Sequence, residues 1–116
     1  MSIIIYHNPS CSKSCETLAL LENHQIQPQV ELYLQKTYSV AELLAIADKL
    51  GISDIRQMMR TKDELYKELG LDNPTLSQQD LLQAIAQHST LLERPIVING
   101  DKAKIGRPPE SVLSIL

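Results

Sequence analysis

Two cysteines lie four residues apart near the start of the chain, in the stretch IIIYHNPSCSKSCETLALLE from Ile3 to Glu22. Cys11 follows a polar turn and stands where a helix is predicted to begin. The first amide groups of a helix have no partner within it, and the helix dipole adds partial positive charge at that end. We therefore expect the Cys11 thiol to have a pKa below the ordinary value of about 8.5 and to act as a nucleophile.

The same helix start is a candidate site for an anion. The amides of Ser12, Lys13 and Ser14 would face out of the first turn, where helix N-termini bind oxyanions. Lys13, and His7 when protonated, would add positive charge. Cys11 with these groups predicts a nucleophile beside an oxyanion cradle. The alternative is that Cys11 is a small buried hydrophobic residue, as many free cysteines are.

Two familiar cysteine motifs are absent from the sequence. The run from Cys11 to Ser14 is C-x-x-S, so the C-x-x-C dithiol of a thioredoxin is missing. A tyrosine-phosphatase loop would carry Arg six residues after the cysteine, and Thr17 stands there. The two cysteines and three histidines show no spacing typical of metal ligands, so we expect no metal.

Arginine is the side chain best suited to hold an oxyanion, because its guanidinium stays charged and can donate hydrogen bonds to two oxygens at once. Arg94 and Arg107 each precede a proline, at the two ends of a predicted hairpin. Spacing alone favours solvated surface charges, with a ligand role as the alternative. The arginines of the chain are Arg56, Arg60, Arg94 and Arg107.

The length, composition and net charge of the chain are those of one globular domain. It has 116 residues, 43% of them hydrophobic, and a formal net charge of -3. The acidic balance argues against general binding to nucleic acid or an anionic membrane. No apolar run approaches the roughly 20 residues of a membrane span, and no secretory signal is evident, so we expect a cytoplasmic protein. We also expect a monomer.

A βαβ unit is predicted at the beginning of the chain. Ile3 to Tyr6 forms a short buried strand, and the spacing of Leu18 and Leu21 favours a helix from about Ser12 to Asn23. Val30 to Tyr33 alternates like a second strand. Strand, helix and strand over this length form a right-handed crossover unit.

A helical block and a hairpin complete the predicted α/β fold of one domain, residues 1–116. Ser39 with Glu42 and Thr61 with Glu64 are capping boxes, and Ser77 caps a further helix. The insertion spans about 39–90. Asn99-Gly100 indicates a hairpin. The remaining predicted elements are a short helix near Ile55 to Met59, strands Ile96 to Ile98 and Ala103 to Ile105, and an amphipathic helix from Glu110 to Leu116.

Four separated blocks, in order, resemble the ArsC family of glutaredoxin-linked arsenate reductases. They are YHNPSCSKS, MMRTKDELYKELGL, ERPIV and IGRPPE. The similarity extends from Ile3 to Leu116 and is strongest to the short chromosomal, arsenate reductase-related branch. It implies a thioredoxin-like fold with a mixed sheet and a helical insertion.

The resemblance also implies roles for individual residues. It makes Cys11 the nucleophile and His7 the residue that activates its thiol. It places Arg60, Arg94 and Arg107 around the oxyanion, and it implies a cis peptide bond between Arg94 and Pro95. Arg56 matches an arginine common in the family, and we expect no catalytic role for it.

The implied reaction reduces arsenate to arsenite without a bound cofactor. The Cys11 thiolate attacks arsenic, glutathione as co-substrate reduces the adduct, and glutaredoxin resolves the mixed disulfide left on Cys11. Two alternatives stay open: a thiol oxidoreductase with another substrate, and an Spx-like redox regulator that binds RNA polymerase. Such a regulator needs a C-x-x-C switch, and Ser14 occupies the position of its second cysteine.

Cys15 departs from the family, because many relatives carry arginine at that position. The change removes a positive charge one helical turn from the nucleophile. We expect a surface side chain with no redox role, and a resolving thiol is the alternative. Residues four apart in a helix have Cα atoms about 6 Å apart, but their nearly parallel Cβ directions would require the first turn to open before a disulfide formed.

Overall fold

The computed structural model describes residues 3–116. This part of the chain separates into two compact units. One is formed by the residues up to Gln35 together with Arg94–Leu116, and the other by Lys36–Glu93. No helix within residues 3–116 is both long enough and apolar enough to cross a membrane.

The first unit contains a mixed four-stranded sheet. Its strands are β1 (Ile3–Tyr6), β2 (Gln29–Glu31), β3 (Ile96–Asn99) and β4 (Lys102–Ile105). They lie in the order β2-β1-β3-β4, with β1 parallel to β2 and antiparallel to β3, and β3 antiparallel to β4. The mixed sheet predicted from the sequence is confirmed, and β1 and β3 are its central strands.

Helix α1 (Ser12–Asn23) and a 3₁₀-helix at Pro109–Ile115 belong to the same unit as the sheet. Ile5 of β1 and Val97 of β3 are neighbours in register and fully buried. Leu21 of α1 packs with them, since an apolar stripe on a helix must be covered. The other buried members of this core are Val112 and Ile115. Helix α1 has the bounds predicted for it.

Two predicted elements of this unit differ in the structure. The strand predicted at Val30 to Tyr33 ends at Glu31, and Tyr33–Gln35 is a 3₁₀-turn. Tyr33 is only 1% exposed, so burial of its ring outweighs the alternating pattern that suggested a strand. The C-terminal helix is of the 3₁₀ type and begins at Pro109, with Ser111 N donating to Pro108 O at 3.0 Å.

The second unit is helical, as predicted. It contains α2 (Val40–Leu50), α3 (Glu64–Glu68) and α4 (Gln78–Gln87), with 3₁₀-helices at Ile55–Met58 and Ser89–Leu91. The predicted capping box of Ser39 and Glu42 begins α2, and Ser77 caps α4 with Asp80. Gly51 ends α2 at a positive φ of 71°, a conformation that glycine adopts without steric cost.

The capping box predicted at Thr61 and Glu64 is wrong. Asp63 is the residue that caps α3, and its carboxylate accepts a hydrogen bond from Leu65 N at 2.9 Å. Asp is as good an N-cap as Ser and better than Thr, so the sequence offered two candidate N-caps in this stretch, Thr61 and Asp63. Arg56 has a structural position in the same unit, since its guanidinium donates to the carbonyl oxygens of Leu71 and Asn73.

Candidate active site

Cys11 lies between the end of β1 and the beginning of α1. A turn closed by Cys11 N donating to Asn8 O at 3.0 Å leads into the helix. Cys11 is the N-cap residue, with an extended backbone (φ -102°, ψ 122°). Only 9% of it is exposed. The thiol therefore stands at the helix start predicted from the sequence.

Opposing effects act on the Cys11 thiol. Burial raises its pKa, because the thiolate loses water, whereas the backbone N–H groups of Ser14 and Lys13 and the guanidinium of Arg94 lower it. Burial is the largest single effect, but the lowering effects together outweigh it, and the thiol pKa lies below the ordinary value. The structure thus favours the thiolate, the form that attacks an electrophile.

Arg94 and Arg107 meet at the sulfur of Cys11. Arg107 Nη2 lies 3.7 Å from Cys11 Sγ, and Arg107 Nε donates to the backbone oxygen of Arg94 at 2.8 Å. The two arginines flank the β3–β4 hairpin, so the hairpin brings both to one place. The expected cis bond between Arg94 and Pro95 is present, and the Arg107–Pro108 bond, which sequence reasoning missed, is also cis.

Gly106 allows the hairpin to approach α1 closely. A Cβ at this position would lie 2.6 Å from Thr17 Oγ1 and 2.9 Å from Pro95 Cγ. Gly106 N also donates to Pro95 O at 2.9 Å. Sequence reasoning missed this role, and its only local signal was the GRPP run, which indicates a break in a strand. The absence of a side chain at Gly106 therefore lets the chain bring the neighbouring Arg107 close to α1.

His7 and Ser14 form a buried pair beneath the helix start. His7 Nδ1 lies 2.6 Å from Ser14 Oγ, which also accepts from Asn8 N at 3.0 Å. Burial lowers the pKa of His7, so the imidazole is neutral at pH 7. The positive charge expected of a protonated His7 is thus opposed by its environment. Ser14 is fully buried, and its hydroxyl faces the imidazole.

The other predicted residues of the helix start are exposed. Lys13 Nζ pairs with Glu16 Oε2 at 3.3 Å, so its backbone N–H rather than its ammonium group acts on the sulfur. Ser12 is exposed on the first turn of α1. Cys15 is an exposed free thiol, as expected of a surface side chain, and its Sγ donates to Pro9 O at 3.3 Å.

Arg60 belongs to the second unit. Its Nη1 pairs with Asp63 Oδ2 at 3.2 Å, and its backbone N–H donates to Leu91 O at 2.8 Å. Asp63 therefore both caps α3 and holds the Arg60 guanidinium. For residues 3–116, no group of three or more His, Cys, Asp or Glu side chains is arranged to hold a metal ion.

Removal of the Arg94 guanidinium is expected to raise the pH at which Cys11 becomes reactive. Arg94 lowers the thiol pKa, so Arg94→Ala should move the midpoint of the reaction with iodoacetamide upward. The rate is measured by mass spectrometry from about pH 5 to about pH 9, in a Cys15→Ser background so that only Cys11 reacts. An unchanged midpoint would contradict the assignment of Arg94 to the sulfur.

The same shift has a consequence for stability. A thiol pKa that is lower in the folded than in the unfolded chain stabilises the fold above the unfolded pKa. That contribution is lost as the pH falls through the folded pKa. The free energy of unfolding, measured with urea, should therefore increase more in wild type than in Arg94→Ala when the pH is raised from the folded pKa towards the unfolded pKa.

The parallel βαβ beginning, the antiparallel hairpin and the cysteine at the start of α1 define a thioredoxin-like α/β protein. An arsenate reductase of Haemophilus influenzae is 76% identical over 116 residues, which are 100% of both chains. An arsenate reductase of Escherichia coli is 42% identical over 115 residues, covering 99% of this chain and 81% of the relative.

The solved structures give the same picture. The arsenate reductase from Vibrio cholerae superposes with a TM-score of 0.97 at 56% identity, covering 100% of this chain and 98% of that one. The model of the ArsC family matches residues 6–115. The chain belongs to the ArsC family.

Proposed function

We propose that this protein is an arsenate reductase in which Cys11 is the nucleophile. The observation that carries the proposal is the Cys11 sulfur, held among helix-start amides, Arg94 and Arg107 with a lowered pKa. A thiolate beside cationic donors suits attack on a tetrahedral oxyanion. The relatives named arsenate reductase support the same substrate, and an oxyanion is the class of substrate common to the family.

In the first step the arsenate dianion binds against the arginines and the helix amides. Arg94 and Arg107 neutralise its oxygens beside the sulfur, and the backbone N–H groups of Ser12, Lys13 and Ser14 complete the cradle. Arg60 is a further proposed ligand, on the basis of the family resemblance. The Cys11 thiolate forms a bond to arsenic, and water or hydroxide leaves. Arsenic stays at the +5 level in this step.

In the second step glutathione acts as co-substrate. Its thiol attacks the Cys11 sulfur, and the sulfur–arsenic bond breaks. Two electrons pass to arsenic, which leaves at the +3 level as arsenite, and Cys11 and glutathione become a mixed disulfide. A glutaredoxin thiolate then attacks the glutathione sulfur, and Cys11 leaves as the thiolate. No bound cofactor takes part in this sequence.

His7 is proposed to assist through Ser14 rather than as a cation. The neutral imidazole fixes the Ser14 hydroxyl at 2.6 Å, and the N–H of the same serine acts on the sulfur. A dependence on glutathione and glutaredoxin requires a reducing compartment, in keeping with the expected cytoplasmic location. The monomeric state stays a prediction.

A second candidate is a thiol oxidoreductase with another substrate. The lowered pKa of Cys11 favours it, because a thiolate also attacks disulfides. The two candidates differ in their need for the arginines, since only oxyanion chemistry requires cations around the substrate. The regulator alternative receives no support from the site, because a fully buried Ser14 stands where its second cysteine would be.

Arsenate-dependent oxidation of NADPH, coupled through glutathione, glutaredoxin and glutathione reductase, tests the proposal. We expect turnover by wild type that requires both glutathione and glutaredoxin. Arg94→Ala should lose arsenate turnover. Its Cys11 thiol should still react with iodoacetamide at a pH above the pKa that this thiol has in the variant. Turnover of disulfides that survives in Arg94→Ala, without arsenate turnover in wild type, would favour the thiol oxidoreductase instead.

A further inference from the structure

Arg60 and Asp63 form a closed turn at the start of α3. Asp63 N donates to Arg60 O at 3.0 Å, and Arg60 Nη1 lies 3.2 Å from Asp63 Oδ2. We propose that Asp63 is the positioning residue of Arg60 and sets the direction in which its guanidinium meets an oxyanion. The inference rests on the proposed function for the role of Arg60, and on the turn itself for the role of Asp63.

The Asp63 carboxylate is fixed by the helix that it caps. Its Oδ1 accepts from Leu65 N at 2.9 Å, which leaves Oδ2 for Arg60. The side chains of Asp63 and Arg60 are only 24% and 29% exposed. Ion pairs between open, mobile side chains contribute little, because solvent screens them and their formation costs side-chain entropy. Both losses are smaller for a pair whose carboxylate is already fixed and partly buried.

The backbone of Arg60 is held independently of its side chain. Arg60 N donates to Leu91 O at 2.8 Å, and the preceding Met59 forms an antiparallel bridge with Leu92. An arginine side chain still has several rotatable bonds between such a backbone and its guanidinium, and ordering them on a ligand costs entropy. The contact with Asp63 restricts this freedom before a ligand binds, which is the condition for a preorganised site.

The orientation that Asp63 holds leaves N–H groups of Arg60 for a ligand. A guanidinium carries five N–H donors, and Asp63 contacts Nη1. Arg60 Nε is buried and has no hydrogen-bond partner among residues 3–116. A buried donor without an acceptor costs free energy, so stability alone would not select this orientation. Such a cost is expected where a guanidinium serves a ligand.

Asp63→Asn tests the proposal because it removes the charge and preserves the cap. Asn caps a helix as well as Asp does, and its amide oxygen can still accept from Leu65 N. The amide NH₂ group then replaces Oδ2 and faces the Arg60 guanidinium as a second donor. The variant should therefore fold like wild type and lose the contact with Arg60.

Asp54→Asn is the matched control. Asp54 is the N-cap of the 3₁₀-helix at Ile55–Met58, and its Oδ1 lies 3.9 Å from Arg56 Nη1. The Arg56 guanidinium remains bound to the carbonyl oxygens of Leu71 and Asn73 in this variant. The two variants thus make the same chemical change beside two different arginines.

The first measurement is NMR of the arginine Nε–H groups. The chain has four arginines, so Arg60→Lys identifies the Arg60 signal by its absence. In wild type this signal should have the ¹H–¹⁵N NOE of an ordered group. The NOE should fall in Asp63→Asn and stay unchanged in Asp54→Asn. An Arg60 NOE that is equal in wild type and both variants would overturn the positioning role.

The second measurement is the coupled assay with arsenate. Asp63→Asn should lower kcat/KM for arsenate about tenfold and leave KM for glutathione unchanged, because activity depends steeply on the position of a substrate ligand. Arg60→Ala should have the same kcat/KM with and without Asp63→Asn, because Asp63 acts only through Arg60. A further loss in the double variant would indicate a merely structural role and overturn the proposal.

The outcomes separate this inference from the proposed function. A disordered Arg60 guanidinium in Asp63→Asn, with no arsenate turnover by wild type, would uphold the positioning role and overturn the proposed reaction. Arsenate turnover by Asp63→Asn at the kcat/KM of wild type would uphold the reaction and overturn the positioning role.

Discussion

Cys11→Ser is expected to abolish arsenate-dependent NADPH oxidation, with a loss of at least about 10³-fold. A serine hydroxyl stays protonated under conditions in which the Cys11 thiol is ionised, and it cannot form the mixed disulfide that the second step needs. The substitution is nearly isosteric, and serine is a better N-cap than cysteine. Thermal unfolding followed by circular dichroism, at a pH below the folded pKa of Cys11 where the thiolate contributes no stability, should therefore show a variant about as stable as wild type.

Cys15→Ser is the matched control for that experiment. Cys15 is exposed, and its sulfur contacts only a carbonyl oxygen of the preceding turn among the contacts described. We expect turnover close to that of wild type, which would leave Cys11 as the reacting thiol. A loss of turnover in Cys15→Ser similar to that in Cys11→Ser would instead assign Cys15 to the redox cycle. In wild type, a disulfide between Cys11 and Cys15 would then appear in the mass spectrum as a loss of about two mass units.

Gly106→Ala is expected to damage both stability and catalysis. The added methyl group would lie 2.6 Å from Thr17 Oγ1 and 2.9 Å from Pro95 Cγ, so the hairpin or α1 must shift. Overpacking of this kind typically costs about 1 to 3 kcal/mol in the free energy of unfolding. A displacement of about 1 Å at Arg107 would lower kcat/KM by about 10²-fold, because catalytic groups depend steeply on position.

Gly51→Ala separates the two effects of the Gly106 substitution. Gly51 has a φ of 71°, and no heavy atom lies within 4 Å of a Cβ placed there, so alanine strains only the backbone at the end of α2. A loss of about 1 kcal/mol in stability is expected, with turnover retained. Urea unfolding and the coupled assay measure both variants. Equal activity in Gly106→Ala and Gly51→Ala would show that Gly106 has no part in placing Arg107.

The parts of the fold that sequence could predict are those with local causes. Helix α1 begins and ends as expected because the turn before Ser12 and the apolar spacing after it act over a few residues. The capping box of Ser39 and Glu42 is likewise a local hydrogen-bond pattern. The hairpin followed from Asn99-Gly100. In each case the chain needs no distant partner to choose its conformation.

The remaining features depend on distant contacts and could not be predicted. Burial of Tyr33 ended the second strand early, and only the folded chain reveals what covers that ring. The close contact of Gly106 with Thr17 and Pro95 joins residues far apart in sequence. The meeting of Arg94 and Arg107 at the sulfur needs the β3–β4 hairpin to pair with β1. The family resemblance placed both arginines at the site, and their spacing alone could not.

The origin of the sulfur's partners also sets when the thiol becomes reactive during synthesis. Cys11 emerges from the ribosome early, whereas the guanidinium groups that act on it belong to Arg94 and Arg107, and β1 has its antiparallel neighbour only in β3. A nascent chain that ends before this hairpin lacks both cations, and only the amides at the start of α1 remain to lower the pKa of the Cys11 thiol. The full lowering of that pKa is thus a property of the finished chain.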